Sequence, residues 1–298
     1  MIARIQQTIV FLLLAGMAAW AWHVWPDFSR IYISLLALAG VYIAYLAILF
    51  IAIHRLNRSD AQPRATLWAL MQACVREATT APAVFLWLQP FRTLAISDYL
   101  PASDKQGVVF IHGFFCNRAF WTPWMQQLLT DKRAFVAITM EPAFGSIDDY
   151  SPTVEAAIAK VTLATGKPPA LICHSMGGLV ARSWLRSKAG NDDRINRIIT
   201  IGTPHFGTVL SLKKSFLPFI NTRQMQRNGE WTQLLAKDES PTRFAKFTCW
   251  YSNCDNIVVP TSTAMLPGAD NRLVTAQGHV SMAFNKKVMQ ESLSLLSS

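Results

Sequence analysis

Charge is scarce in this chain. Asp, Glu, Lys and Arg make up 15% of its 298 residues, against roughly 25% in an ordinary soluble domain. Acid is scarcer than base: 18 acidic residues face 28 basic ones, for a net charge of +10. Such a balance suits nucleic acid or an anionic membrane surface. A second absence decides between them. The sequence holds no zinc-ligand spacing and no basic motif interleaved with aromatics, so a membrane is the expected partner and nucleic acid is not. Disulfides are also poorly provided for. Cys74, Cys116, Cys173, Cys249 and Cys254 are odd in number and scattered, which makes no framework. Cys249 and Cys254 are the one conceivable pair, and reduced buried thiols are the expectation. No internal repeat or low-complexity segment is present, so the length reads as one large domain or two small ones.

What is abundant is apolar sequence, and it is concentrated at the amino end. Residues 8–25 are apolar apart from His23, and residues 31–53 carry no charge. Each run is long enough for a helix crossing a hydrocarbon core of about 30 Å. Residues 26–30, Pro-Asp-Phe-Ser-Arg, read as a polar turn between them. Trp20, Trp22 and Trp25 gather at one end of the first run, where amphipathic rings favour the membrane interface. Arg4 precedes the pair and Arg55, Arg58 and Arg64 follow it, so both ends read as cytoplasmic. The expectation is a multi-pass hairpin over residues 1–56, with the rest of the chain on the cytoplasmic side. The rival is a cleaved signal peptide ending near Ala19-Trp20-Ala21; the second apolar run directly behind it favours the hairpin.

Residues 57–90 read as a polar linker followed by an amphipathic helix. Pro63 suits a first helical turn, and Leu67, Leu70, Met71, Cys74 and Val75 recur at helical spacing. Residues 83–88 are short, apolar and bracketed by Pro82 and Pro90; an entry strand and a surface-lying segment are both open.

From residue 91 onward, short apolar runs alternate with helical patterns. Strands are expected at 107–111, 134–138, 169–172, 195–201 and 247–251. Helices are expected at 119–129 and 154–165, the latter stopped by Gly166, and after Ser175. This order argues an α/β fold: a mostly parallel sheet with helices on both faces. Functional groups in such sheets lie beyond the carboxyl ends of the strands. Phe114, Ser175 and Asp255 all follow strands, so one rim should gather them.

Cys173-His174-Ser175-Met176-Gly177-Gly178 places a serine between an apolar strand and a helix. That is a nucleophile elbow, although Cys173 stands where Gly-x-Ser-x-Gly has its first glycine. Together with His112-Gly113, with Gly202-Thr203-Pro204-His205-Phe206-Gly207, and with a late Asp and His in order, the elbow makes residues 91–298 resemble an α/β-hydrolase, and bacterial lipases and esterases in particular. The hairpin lies outside that pattern. The resemblance implies a Ser-Asp-His chain order. It points to Ser175 as nucleophile, His279 as base and Asp255 as the acid that fixes the base. It also implies oxyanion donors at the backbone N–H of Met176 and of Phe114, with Phe115 the near alternative.

Asp270 competes with Asp255, but Gly268-Ala269-Asp270-Asn271 reads as a turn. His205, within its Gly-Thr-Pro-His run, His112 below the oxyanion loop and His174 on the opposite strand face read as structural. No metal site or cofactor is implied. Residues 208–242 read as a cap insertion. Its apolar stretch at 215–220 is edged by Lys213, Lys214, Arg223, Arg227 and Lys237, which suits an anionic bilayer as well as an ordinary cap. The expected activity is hydrolysis of lipid or acyl esters at a bacterial inner membrane. The alternatives are acyl transfer by the same residues and a catalytically silent scaffold.

Overall fold

A computed structural model describes residues 1–211, 219–237, 239 and 241–296. Lys213, Lys214 and most of the apolar stretch at 215–220 lie outside the described residues.

The apolar amino end folds as two long helices, α1 (Ile2–Val24) and α2 (Phe28–Leu56). Both are long and apolar enough to cross a membrane. The turn is shorter than the sequence predicts, because Asp27 accepts from the Arg30 N–H and caps α2 at Phe28. A short 3-10 turn, Asn57–Ser59, leads to α3 (Leu67–Pro82). The Thr66 hydroxyl accepts from Ala69 N–H at 3.1 Å, so the cap is Thr66 and Pro63 lies before the helix.

Residues 83–88 are not a strand but a helical segment with Leu86 and Trp87 exposed at the surface. Ala83–Leu88 continues α3 as a π-helix and runs into α4 (Gln89–Phe91). Only part of the expected α3 face is buried: Leu70, Ala73 and Glu77 turn inward, whereas Leu67, Met71 and Val75 are exposed.

The remainder is layered. The strands are β1 (Val108–Ile111), β2 (Phe135–Ala137), β3 (Ala170–His174), β4 (Arg197–Ile201), β5 (Phe247–Tyr251) and β6 (Asp270–Leu273). They form one parallel sheet in the order β2-β1-β3-β4-β5-β6. β6 is a correction. Its sequence is Asp-Asn-Arg-Leu, and it lies at the sheet edge, where polar side chains reach water.

The covering helices are α5 (Thr122–Thr130), α6 (Ser151–Thr165) and α7 (Met176–Ser187). α8 (Ile220–Gln224), α9 (Glu230–Lys237) and α10 (Pro241–Phe244) lie between β4 and β5. α11 (His279–Ala283) and α12 (Lys286–Ser294) close the chain. Gly166 ends α6 in the left-handed region, with φ 65°.

Strand alternation sorts the core into two layers. Val109, Ile111, Leu171 and Cys173 pack with α6 and α7. Val108, Phe110, Ala170 and Ile172 pack with Trp121, Trp124 and the α11–α12 end. All the strands point one way, so their carboxyl ends share one rim.

Candidate active site

Ser175 follows β3 directly, with φ 53° and ψ −124°. Few non-glycine residues adopt a positive φ, and its occurrence at a functional turn is a form of stored strain. Neighbours hold it there. Ser175 N–H donates to Ile201 O at 2.9 Å, and the Thr203 hydroxyl donates to Ser175 O at 2.8 Å. The glycines after the serine permit close approach. A Cβ at Gly177 would stand 2.3 Å from Ile111 O, and one at Gly178 2.3 Å from Thr203 Oγ1. Cys173 is different. Its side chain points into the core beside Leu171, so that position needs only a residue the core can hold.

His279 Nε2 lies 2.9 Å from Ser175 Oγ. Its Nδ1 lies 3.0 and 3.1 Å from the two oxygens of Asp255. Asp255 is fixed in turn, since Oδ1 accepts from the N–H groups of Ile257 and Val258, both at 2.8 Å. All three residues are buried. Burial alone would lower the His279 pKa, but the Asp255 charge and hydrogen bond, with Glu77 farther off, hold it above the ordinary histidine value. The three residues expected from sequence are therefore in hydrogen-bonded series. Asp270 is not near them; its carboxylate is taken by Arg272 and Thr248.

The other histidines are placed as structural groups. His112 Nδ1 bonds Gly113 O, and Nε2 accepts from Met140 N–H; burial pushes its pKa down to about 4. His174 stacks on Phe120 and donates to the His279 carbonyl at 3.1 Å. His205 is buried against Thr200 Oγ1. Burial and the nearby Arg182 charge keep it neutral.

Met176 opens α7, where the first N–H groups have no intrahelical acceptor. Phe114 follows β1 in a loop whose next residue, Phe115, has φ 56°. The rings of Phe114, Phe115, Phe144 and Phe219 contact one another, with Phe144 stacked on Phe219 at 4.0 Å. This forms an apolar wall beside the loop.

Three polar residues beside these groups carry no signature in the sequence. Asn256 Oδ1 accepts from His279 N–H at 2.8 Å. Glu77, 2% exposed, accepts from Val280 and Ser281 N–H, both at 2.9 Å. Gln6 of α1 donates to Phe115 O at 2.9 Å and accepts from Asn117 Nδ2 at 3.1 Å. Only Glu77 leaves a trace: an acid four and seven residues after Ala73 and Leu70, on the buried stripe of α3.

The sheet order and its covering helices define the class of fold: the chain has the α/β-hydrolase fold, with two apolar helices added at its amino end. Within that class, the family model of a PGAP1-like alpha/beta domain matches residues 148–268. A GPI inositol-deacylase of Rattus norvegicus is 41% identical over 78 residues, which are 25% of this chain and 8% of that protein. The Mus musculus GPI inositol-deacylase is 44% identical over 62 residues, 21% of this chain and 6% of the mouse protein. The aligned segments thus span less than a tenth of those relatives. Lipase B of Aspergillus fumigatus superposes with a TM-score of 0.57 at 19% identity, over 65% of this chain and 53% of that one. A mature Bacillus licheniformis lipase gives 0.57 at 18% identity, over 66% of this chain and 94% of the lipase.

Proposed function

We propose that this protein is a membrane-anchored serine hydrolase that cleaves carboxylic esters of lipids. The observation that carries the reading is the hydrogen-bonded series Ser175–His279–Asp255 on the carboxyl rim. A serine hydroxyl is a weak nucleophile until a base removes its proton. His279 Nε2 stands within reach to do so, and Asp255 fixes the ring so that Nε2 faces the serine.

Ser175 Oγ attacks the ester carbonyl while its proton passes to His279 Nε2. The charge that develops on the carbonyl oxygen falls to the N–H groups of Met176 and Phe114, each worth about 3 to 4 kcal/mol in comparable sites. The C–O bond to the alcohol then breaks, and His279 returns its proton to the leaving oxygen. Water, deprotonated by His279, releases the acid and restores Ser175. The cluster of Phe114, Phe115, Phe144 and Phe219 offers an acyl chain an apolar wall. The mammalian relatives are named for removing an acyl group from inositol, which is the same bond class.

The two apolar helices serve as the anchor. Arg4 and Arg55, Arg58 and Arg64 flank the pair of helices, and this charge asymmetry supports a catalytic part on the cytoplasmic side.

The test is fluorophosphonate labelling of the detergent-solubilised protein beside its Ser175→Ala variant, then turnover of esters of rising acyl length. Labelling lost in the variant and turnover of long esters are expected. A folded wild type that takes no label would overturn the reading.

A further inference from the structure

The hairpin does not stand clear of the catalytic domain. Ile2, Gln6 and Val10 of α1 are buried, as are Leu46, Phe50 and Ile53 of α2. Gln6 holds the loop after β1 through Phe115 and Asn117. Phe50 packs with Ala65, Leu70, Ala73 and Cys254, and Asn57 Oδ1 accepts from Thr261 N–H at 3.0 Å. Both arms therefore grip loops of the rim that carries Ser175 and Asp255.

Helix length then sets the depth of the bilayer. Trp20, Trp22, Trp25, Phe28 and Tyr32 are exposed around the hairpin tip, the place of an interfacial aromatic belt. Ile2 lies 18 residues before Trp20, and Phe50 lies 18 residues after Tyr32; each stretch is about 27 Å of helix at 1.5 Å per residue. A hydrocarbon core of about 30 Å measured from that belt ends at Ile2 and Phe50–Ile53. The next charge along α2 is Arg55. The near edge of the hydrocarbon therefore coincides with the levels at which the hairpin grips the rim. Where Leu46, Phe50 and Ile53 face inward, Tyr45, Ile48 and Ile51 remain exposed on the outer side of α2.

α3 and α4 continue that outer surface. Ala78 O lies 3.5 Å from Tyr42 Oη, Gln7 donates to Pro90 O at 2.7 Å, and Phe91 packs edge-on against Phe11. The outward side of this helix carries Leu67 at 78% exposure, then Trp68, Met71, Val75, Leu86 and Trp87. An exposed apolar surface this extensive is unusual on a water-soluble face.

We infer that the helix running from Leu67 to Phe91 is immersed in the near leaflet, its outer stripe against acyl chains, so that the rim bearing Ser175 sits at the hydrocarbon edge. The substrate ester is then one that a leaflet-resident lipid presents at its headgroup–acyl boundary. This rests on reading the hairpin as membrane-spanning.

Nitroxides placed by Leu36→Cys, Met71→Cys, Leu86→Cys and Leu163→Cys, each in a Cys74→Ala background, test it. The full chain is reconstituted in phosphatidylcholine–phosphatidylglycerol vesicles. Fluorophosphonate labelling selects the folded variants. Collision with oxygen should dominate over collision with a water-soluble nickel chelate at positions 36, 71 and 86, and the reverse should hold at 163. Nickel access at 71 and 86 with oxygen access at 36 would overturn the immersion while leaving the anchor intact. Nickel access at 36 as well would remove the anchor and this inference together.

A second, independent observation concerns Glu77. The first N–H groups of a helix need outside acceptors. In α11 those of His279, Val280 and Ser281 go to Asn256 Oδ1, Glu77 Oε1 and Glu77 Oε2. A Cβ at Gly278 would stand 2.5 Å from Glu77 Oε2, so the contact is closely fitted. Among the described residues no cation pairs with this carboxylate. The neighbouring Arg76 turns to Ala276 O. Cys74 and Tyr42 face Glu77 from α3 and α2. On the other side stands His279, backed by Asp255 and His174.

We propose that Glu77 is a positioning residue: it fixes the α11 end that carries His279, and its charge favours the imidazolium. Glu77→Gln keeps the size but loses one acceptor and the charge. The turnover per fluorophosphonate-titrated site should fall about tenfold, the cost of roughly one charge-assisted hydrogen bond. KM should hold, and the acid limb of kcat/KM should move to lower pH. Unchanged turnover per titrated site and an unmoved limb, with a lower Tm alone, would reduce Glu77 to a structural group.

Discussion

Gln6 Nε2 donates to the Phe115 carbonyl at 2.9 Å. The bond joins a membrane-length helix to the loop that holds the candidate oxyanion donor Phe114. The same amide accepts from Asn117, so one side chain sets the loop at two points. Gln6→Ala removes both bonds at about 1 kcal/mol each. The expected result is a fall in kcat/KM of about 5- to 30-fold with the hairpin still in the membrane, read by steady-state kinetics on reconstituted protein.

Gly202 sits beneath the Asp255–His279 pair with φ 58°. A Cβ there would lie 3.1 Å from Asp255 Oδ2 and 3.2 Å from His279 Nδ1. Gly202→Ala displaces one or both groups and strains the turn. The expected loss in kcat is about 100-fold with little change in KM. Unaltered kcat would mean that the pair tolerates the crowding.

Asp255→Asn keeps the volume and removes the charge. The amide no longer enforces the tautomer with Nε2 facing Ser175. A loss of kcat of roughly 10⁴-fold is expected, with near-native thermal unfolding, checked by kinetics and calorimetry on one preparation.

His279 must be neutral to take the serine proton. Its pKa is raised above the ordinary value of 6.5 by Asp255, against the opposing effect of burial. kcat/KM should therefore fall as pH drops through a value above 6.5. An acid limb lying wholly below 6 would contradict the arrangement.

Cys173→Gly restores the commoner elbow sequence and empties a packed position. The thiol lies in the core layer with Leu171 and Leu179, and its pKa is raised by burial. A loss of about 1–2 kcal/mol of stability is expected, with turnover per titrated site retained. Urea unfolding against active-site titration separates the two effects.

The strands legible in the sequence are those whose side chains are buried on both faces. Val108–Ile111 and Ala170–His174 are continuous apolar runs bounded by turns, so their length and flanks identify them. Asp270–Leu273 is a strand by pairing with β5 alone, and its polar edge residues look like a loop. Residues 83–88 are ambiguous in sequence because two prolines bracket them; a π turn carries the helix past Pro82 into α4.

Ser175, Asp255 and His279 could be picked out because chain order in an α/β-hydrolase restricts the choices. Glu77 and Gln6 could not. Each is a polar residue on a helix outside that pattern, and its partner is 203 or 109 residues away. Only tertiary packing brings such pairs together.

The two-armed grip of α1 and α2 on the rim has a kinetic consequence. An enzyme held this way does not sample lipid from solution, so bulk concentration is the wrong variable for it. Its encounters are lateral, within one leaflet, and their frequency follows the mole fraction of substrate among its neighbours. Inert lipid added to the same bilayer acts as a diluent, although the water volume is unchanged. For a lipid hydrolase of the kind proposed above, saturation is a property of surface composition.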